Sequence, residues 1–154
     1  MTLQSAHFCE FLRVLTDGKI DLFGTFDVYN SLTVPVVFPM FIIFVKFRED
    51  EAERAAWTSR PVGFTGKTVH LTITLVSPSG KVLFRTNLEH QSRVDYPEIP
   101  PRVQAASVCQ NVEFTEFGFH QMIITVDGIE FLGPALLIRR PTGEEIGARH
   151  LQGS

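Results

Sequence analysis

The fold is decided by the stretch VEFTEFGFHQMIITVDGIEFLGPALLI, residues 112–138. Asp127-Gly128 separates two apolar runs, which predicts a two-residue hairpin turn because both central residues of such a turn need positive φ. Before the turn, alternate residues of 120–126 form one row and those of 119–125 form the other. Both rows are largely apolar, so we expect a central strand with the 120–126 row on the core. After the turn, Gly133-Pro134 predicts a bulge or an edge break.

Period-2 alternation between turn residues predicts further strands. Together with the hairpin they cover residues 6–15, 20–29, 36–47, 69–77, 81–85, 103–114, 118–126 and 129–138. We expect a turn at 16–19, a short helix near 49–56, and a bulge or close approach at Gly24, which interrupts a strand. The polar, proline-rich residues 87–102 predict an irregular crossover.

About eight strands with almost no helix predict an all-β fold. The expected architecture is an antiparallel β-sandwich of the immunoglobulin-like type, and a barrel is the alternative. Residues 1–140 form the single predicted domain. The tail, residues 141–154, has no periodicity, and we expect it to be flexible.

The composition fits a folded domain with no electrostatic footprint for nucleic acid. The chain has 154 residues, 44% of them hydrophobic, with 14 Phe and a net charge of −3. Neither nucleic acid nor an anionic membrane surface is expected as a partner. The apolar run 34–45 is too short for a spanning helix, and the first residues lack a secretory signal pattern. The expected compartment is the cytoplasm.

No motif in the sequence predicts catalysis, a metal or a cofactor. Cys9 and Cys109 fall in predicted strands and are expected to be free buried thiols, which is typical outside oxidising compartments. His7 and Cys9 face the same way, so zinc binding would need His120 or Cys109 from a neighbouring strand. We therefore expect a non-enzymatic protein without catalytic or metal-binding residues.

One segment, residues 48–66, indicates a binding function. It combines a charged helical piece with Trp57, Arg60 and Phe64, and tryptophan and arginine are enriched in interface hot spots. These three residues are the predicted partner-binding site. The alternative is that Trp57 and Phe64 only cap an open end of the sandwich.

The leading hypothesis is therefore a protein that binds another protein or associates with itself, for which an exposed edge strand at 81–85 offers one route. The alternative is a small-ligand-binding protein or a hydrolase whose site is assembled only in three dimensions. That alternative predicts that several polar residues converge in one cleft: His7, His70, His90, His120, Asp27 and Glu113. A structural role in a phage or surface assembly is a third possibility.

The chain also resembles a family of small bacterial proteins of unknown function. The matching motifs are Phe8-Cys9-Glu10-Phe11, Asp17-Gly18-Lys19-Ile20, Leu22-Phe23-Gly24-Thr25-Phe26-Asp27 and Val126-Asp127-Gly128. The similarity covers most of residues 8–48 and 68–138. Where the family has Pro-Gly-x-Tyr, this chain has Phe117-Gly118-Phe119-His120. The resemblance implies a β-sandwich without an assigned activity, so it assigns no functional residue.

Overall fold

The computed structural model of the protein describes residues 1–16, 19–93 and 103–152. Asp17 and Gly18 of the predicted turn, residues 94–102 of the predicted crossover and residues 153–154 of the tail lie outside this description. The described elements are, in chain order, β1 (Thr2–Val14), β2 (Ile20–Phe26), β3 (Val28–Asn30), β4 (Val36–Arg48), α1 (Glu51–Thr58), β5 (Thr65–Val76), β6 (Val82–Arg93), β7 (Val103–Phe114), β8 (Gly118–Val126), β9 (Ile129–Arg139) and α2 (Gly143–Gln152).

The strands form two sheets that share one core. The four-stranded sheet has the order β2-β1-β4-β7, and the five-stranded sheet has the order β3-β9-β8-β5-β6. Alternate residues of each strand point inward, and the core includes Phe8, Phe41, Phe47, Phe114, Leu71, Ile73, Met122, Ile124 and Leu136. The prediction of a mostly β fold is confirmed, and most of the strand pairs are antiparallel. The purely antiparallel arrangement is wrong, because β3 runs parallel to β9.

The predicted strand 20–29 is two strands, because the chain changes sheets at Asp27. β2 pairs with β1, whereas β3 pairs with β9 in the other sheet. Gly24 has φ +60°, and a Cβ there would lie 2.8 Å from Glu10 Oε2. The Leu137 N–H donates to the Asp27 carbonyl at 2.8 Å, which ties this corner to the second sheet. The expected close approach at Gly24 is confirmed.

The hairpin β8–β9 has the predicted form. Asp127 and Gly128 have φ of 45° and 85°, as the two central residues of the turn require. The pairing register shifts opposite Gly133-Pro134, so the predicted bulge is present. β8 lies between β9 and β5, and the row containing Met122 and Ile124 is fully buried.

The second edge of the five-stranded sheet is longer than predicted. β6 continues to Arg93 instead of ending at residue 85, and it pairs with β5 from Val82 to Arg93. The predicted irregular crossover therefore does not begin at residue 87. Its first residues complete a strand through backbone pairing with β5, which the polar composition of 87–93 does not reveal.

Within the described ranges, two helices flank the strands. Helix α1 confirms the predicted short helix and begins with a capping box, in which Glu53 N–H donates to Asp50 Oδ1 at 2.8 Å and Asp50 N–H donates to Glu53 Oε2 at 2.9 Å. Helix α2 was not predicted. It lies within the expected tail, and Glu145 at its start forms an ion pair with Arg139 at 2.6 Å.

Candidate interaction site

Helix α1 places the single tryptophan of the chain over strand β5. Trp57 packs against Gly66, where an added Cβ would lie 2.9 Å from Trp57 Cζ3. The indole meets the Phe64 ring edge-on, with ring centroids 6.1 Å apart. Both side chains are half-buried. Glycine at position 66 therefore gives the indole room to lie close to the strand backbone.

A cleft of about 540 Å³ opens beside this ring, where α1 meets β5, β6 and β7. Its apolar lining includes Trp57, Phe64, Val69 and Val103, of which Val103 belongs to the core. More exposed, charged residues also line it: Glu53, Arg60, Lys67 and Asp127. The cleft thus has an apolar floor and a charged rim. We refer to it as the Trp57 cleft.

Arg60 stands on the rim in a defined position. Its guanidinium carbon lies 4.7 Å from the centroid of the Phe64 ring, which is the geometry of a cation–π contact. Arg60 itself is exposed. Its charge therefore remains available to a partner while the stem is held against the aromatic ring.

The acidic side of the cleft surrounds the terminal ammonium of Met1. The ammonium nitrogen lies 3.3 Å from Asp50 Oδ2 and 3.3 Å from Glu53 Oε2. Burial lowers the pKa of this ammonium, but the hydrogen bonds that it donates to Glu53 and Asp50 outweigh burial, so the pKa is raised. Burial and the nearby charge of Glu53 raise the pKa of Glu49. The Glu49 carboxyl is therefore easier to protonate than an exposed one.

Two polar atoms in the lining residues are buried without a hydrogen-bond partner in the described part of the chain. They are Trp57 Nε1, a donor, and Glu49 Oε2, an acceptor when ionised. A buried polar atom without a partner costs about 1–3 kcal/mol. This side of the cleft therefore has unused hydrogen-bonding capacity next to apolar surface.

All three residues of the predicted partner-binding site, Trp57, Arg60 and Phe64, line this one cleft. The two aromatic rings supply part of its floor, and Arg60 supplies part of its rim. The packing of Trp57 on Gly66 fits the alternative of a structural cap, and the exposure of Arg60 fits a contact. A role in partner binding stays a prediction.

Of the polar residues that a three-dimensional catalytic site would bring together, two share a cleft and the other four do not line it. His7 and Asp27 line a second cleft of about 390 Å³ between β1, the end of β2 and Pro134 of β9. His70 Nδ1 lies 3.4 Å from Glu89 Oε1 on β6. His120 is fully buried, and its Nδ1 lies 3.1 Å from the Gly118 carbonyl oxygen. His90 and Glu113 belong to the separate strands β6 and β7.

Neither cysteine is placed for metal binding or nucleophilic chemistry. Cys9 and Cys109 are both free and buried. Burial raises the pKa of Cys9, and it raises the pKa of Cys109 to about 12. Both thiols therefore stay protonated near neutral pH, although the thiolate is the reactive form. No group of three or more His, Cys, Asp or Glu side chains able to hold a metal occurs among the described residues.

Sequence reasoning missed one surface, the outside of the four-stranded sheet. Large apolar side chains are exposed there on four strands: Phe23, Phe11, Met40 and Val108. The sequence contained a signal, since both faces of residues 36–47 are apolar. Two apolar faces predict a strand that is buried on both sides, and this pattern does not show that neighbouring strands extend the apolar surface.

The fold and the cleft define a β-rich domain of two sheets with a candidate interaction site. The chain belongs to the family of unknown function DUF6941, whose model matches residues 4–138. This confirms the resemblance to an uncharacterised domain family. No curated protein and no solved structure matches the chain. Of the helices in the described residues, neither is long and apolar enough to cross a membrane.

Proposed function

We propose that this protein is a non-enzymatic β-sandwich that acts by binding another protein, which includes a second copy of itself, through the Trp57 cleft. The observation that carries the proposal is the anatomy of the cleft: an apolar floor of Trp57, Phe64, Val69 and Val103 inside a charged rim. Protein interfaces commonly combine an apolar centre with a polar rim, and tryptophan and arginine dominate their binding energy.

The position of Arg60 supports this role. An arginine held on an aromatic ring loses less conformational freedom on binding than a freely rotating one. A partner that placed an apolar side chain over Trp57 and a carboxylate beside Arg60 would use both parts of the site. The rim also carries Lys67 and Asp127, 3.9 Å apart, which would favour partners with mixed rather than uniform charge.

The non-enzymatic part of the proposal is supported by the protonated state of the two thiols and by the separation of the histidines. Cys109 has a pKa of about 12, and no His lines the Trp57 cleft among the residues that the structure describes. The cytoplasm remains the proposed compartment. Its support is that Cys9 and Cys109 are unpaired, as is usual for cytosolic proteins.

The immunoglobulin-like arrangement is also a proposal. Strands β1, β4 and β7 follow the order of strands A, B and E, and β9, β8 and β5 follow the order of G, F and C. β6 then takes the place of the additional strand beside C in variable-type domains. An experimental structure in which β5 paired with β4 instead of β8 would contradict this assignment.

A small amphipathic ligand in the Trp57 cleft is the second candidate. The volume of about 540 Å³ is within the roughly 300–1,000 Å³ of small-molecule sites. Because Trp57 is the only tryptophan, its fluorescence reports on this cleft alone. Saturable changes in Trp57 emission with a small-molecule library, abolished in Phe64→Ala, would favour this second candidate over a protein partner.

Capture from a lysate of the native host tests the proposed function. Immobilised wild type is compared with Arg60→Ala, and Arg85→Ala on β6 serves as the matched control because Arg85 lies away from the cleft. We expect a specific protein, bound by wild type and by Arg85→Ala, to be depleted at least about tenfold in Arg60→Ala. The same proteins captured equally by all three would overturn the role of the cleft.

A further inference from the structure

The outside of the four-stranded sheet carries a continuous apolar surface across all four strands. In one row of paired residues, Thr25, Cys9, Ile42 and Val108 lie side by side on β2, β1, β4 and β7. In the next row the Phe11 and Phe23 rings are in contact, with centroids 5.8 Å apart. Phe44 pairs with Ala106 on the other side of Ile42. We call the surface formed by Cys9, Phe11, Phe23, Met40, Ile42, Phe44 and Val108 the apolar face.

The apolar face combines buried side chains with exposed side chains that project from the sheet. Cys9, Phe44 and Ile42 are 0%, 5% and 9% exposed and do not belong to the shared core of the two sheets. Phe11, Phe23, Met40 and Val108 stand above them and are between 44% and 55% exposed. Isolated exposed apolar residues are ordinary on proteins, but a contiguous group marks an interaction surface.

Among the described residues, the centre of the face has almost no charge, and the titratable His7 pairs with Phe44 at its border. Two charged residues, Asp21 and Arg13, lie beside Phe23. Their charges neutralise each other in an ion pair of 2.6 Å. Arg13 also lies over the Phe23 ring, 5.4 Å from its centroid. The next charged side chain along β4 is Lys46, beyond Phe44. A strongly charged partner would therefore find no complementary group at the centre of this surface.

A second copy of the chain is the occupant that these properties fit. In a twofold dimer each surface meets itself, so it must be self-complementary. A charged surface meets like charges in such a dimer, whereas an uncharged apolar surface does not. The near absence of charge on the apolar face is the property that a twofold contact requires.

The size of the face allows a weak dimer. Four strands about 4.8 Å apart, over the five residues from Met40 to Phe44 at about 3.3 Å per residue, give a surface of roughly 19 by 17 Å. Side-chain relief increases the accessible area above this projection, so two copies contribute roughly 800 Å², which is typical of weak association.

We propose that the protein forms a twofold dimer by packing the apolar faces of two copies together. This inference rests on the proposed function as a protein-binding module, but it places self-association on a different surface from the Trp57 cleft. The dimer covers Phe11, Phe23, Met40 and Val108. It leaves the Trp57 cleft free for another partner, because that cleft is lined by α1 and by β5 to β7 rather than by the outer residues of the sheet.

Sedimentation velocity over a wide concentration range tests the dimer with two substitutions on different strands, Phe11→Lys and Val108→Lys. The matched control is Phe119→Lys, because Phe119 is an equally large residue, 65% exposed, on the outside of the other sheet. We expect a wild-type dimer, an increase in the dimer dissociation constant of at least about 100-fold in both face variants, and no change in the control. Thermal melting confirms that each variant is folded.

A milder variant keeps the test decisive if a lysine variant does not fold. Val108→Thr preserves the β-branched shape that suits a strand and adds one hydroxyl to the apolar face. We expect it to raise the dissociation constant about tenfold. A wild type that remains monomeric up to about millimolar concentration, or a dimer that none of the three face variants weakens, would overturn the inference.

The outcomes separate this inference from the proposed function. A dimer lost in Arg60→Ala but retained in the face variants would overturn the apolar face and support the Trp57 cleft as the site of self-association. A dimer lost in the face variants, with no partner dependent on Arg60, would support the dimer and overturn the role of the cleft. Pairing of β6 edges would be identified by dimer loss in Arg85→Pro alone, which would also overturn the inference.

Discussion

The outer surfaces of the two sheets differ in polarity, although the strands of both sheets have apolar inward rows. Across four neighbouring strands of the five-stranded sheet, the outer row is Asn87, Thr72, Thr125 and Glu130. On the four-stranded sheet the corresponding row is Thr25, Cys9, Ile42 and Val108. The first row is polar throughout, and Thr72 Oγ1 is 2.8 Å from Asn87 Oδ1. The second is apolar on three of its four strands.

This difference arises because the inward and outward rows of a sheet are under different constraints. The inward rows of both sheets must be apolar because they share one core. The outward rows are free of that constraint, so their chemistry reflects what each sheet faces outside the domain. Water suits the outer row of the five-stranded sheet, whereas the outer row of the four-stranded sheet suits another apolar surface. Leu132 is an exposed apolar residue on the five-stranded sheet, but the polar row that contains Thr125 and Glu130 lies next to it and limits its patch.

The largest expected effect tests the division between inner and outer rows on a single strand. Ile124→Asp places an unpaired charge in the core, since Ile124 is fully buried, and should prevent soluble folding. Thr125→Asp, the next residue and part of the polar outer row, should change the free energy of unfolding by only about 1 kcal/mol. Soluble yield and thermal melting measure both. A cooperatively melting Ile124→Asp protein would show that the faces of β8 are reversed.

A smaller effect compares the two outer rows directly. Ile42→Ala should reduce the free energy of unfolding by about 2 kcal/mol, because Ile42 is closely packed among Cys9, Phe44 and Val108. Thr72→Ala on the polar row should cost about 1 kcal/mol or less, the net value of one hydrogen bond. Urea unfolding at concentrations where the wild type is monomeric separates intrachain packing from dimer contacts. Equal losses in the two variants would remove the contrast between the sheets.

The smallest expected effect concerns pH and the inner row of β8. Burial lowers the pKa of His120 below its ordinary value of 6.5, although contacts with Gly118 and Leu136 and the charge of Glu116 partly oppose this. Since the unfolded chain takes up the proton more readily, the stability from neutral His120 is complete above pH 6.5 and is lost as the pH falls towards the lower, folded pKa.

We therefore expect the melting temperature to fall between about pH 7 and pH 5, and the fall to be shallower in His120→Leu. Burial also lowers the pKa of His90, so part of the slope should remain in that variant. His70→Ala is the control, since His70 is exposed on the polar outer surface. An identical slope in wild type and His120→Leu would show that protonation of His120 is not coupled to unfolding.

The sequence predicted the elements that short-range chemistry determines. Asp127-Gly128 fixes a hairpin turn within four residues, and the acidic start of α1 specifies a helix within two turns. The change of sheet at Asp27 could not be predicted, because it depends on β9, more than a hundred residues later. For the same reason, the sequence predicted Trp57, Arg60 and Phe64 as one site from a single segment. It could not predict that Val69 and Val103, from other strands, line the same cleft.

The apolar face shows a further limit of predicting burial from the alternation of apolar residues along a strand. Alternation identifies two faces on each strand, and on residues 36–47 both faces are apolar. Whether the outer face is covered depends on the neighbours of β4, which are β1 and β7. Those neighbours add Phe11 and Val108 to the same side, so the surface is extended rather than covered.

The two thiols lie on opposite sides of the four-stranded sheet. Cys109 is part of the core, whereas Cys9 lies outside that core, under the apolar face. A thiol reagent should reach Cys109 only when the whole domain opens, but local detachment of β2 and β1 is enough to reach Cys9. The labelling rate of Cys9 therefore reports local opening of one sheet surface, and the labelling rate of Cys109 reports complete unfolding.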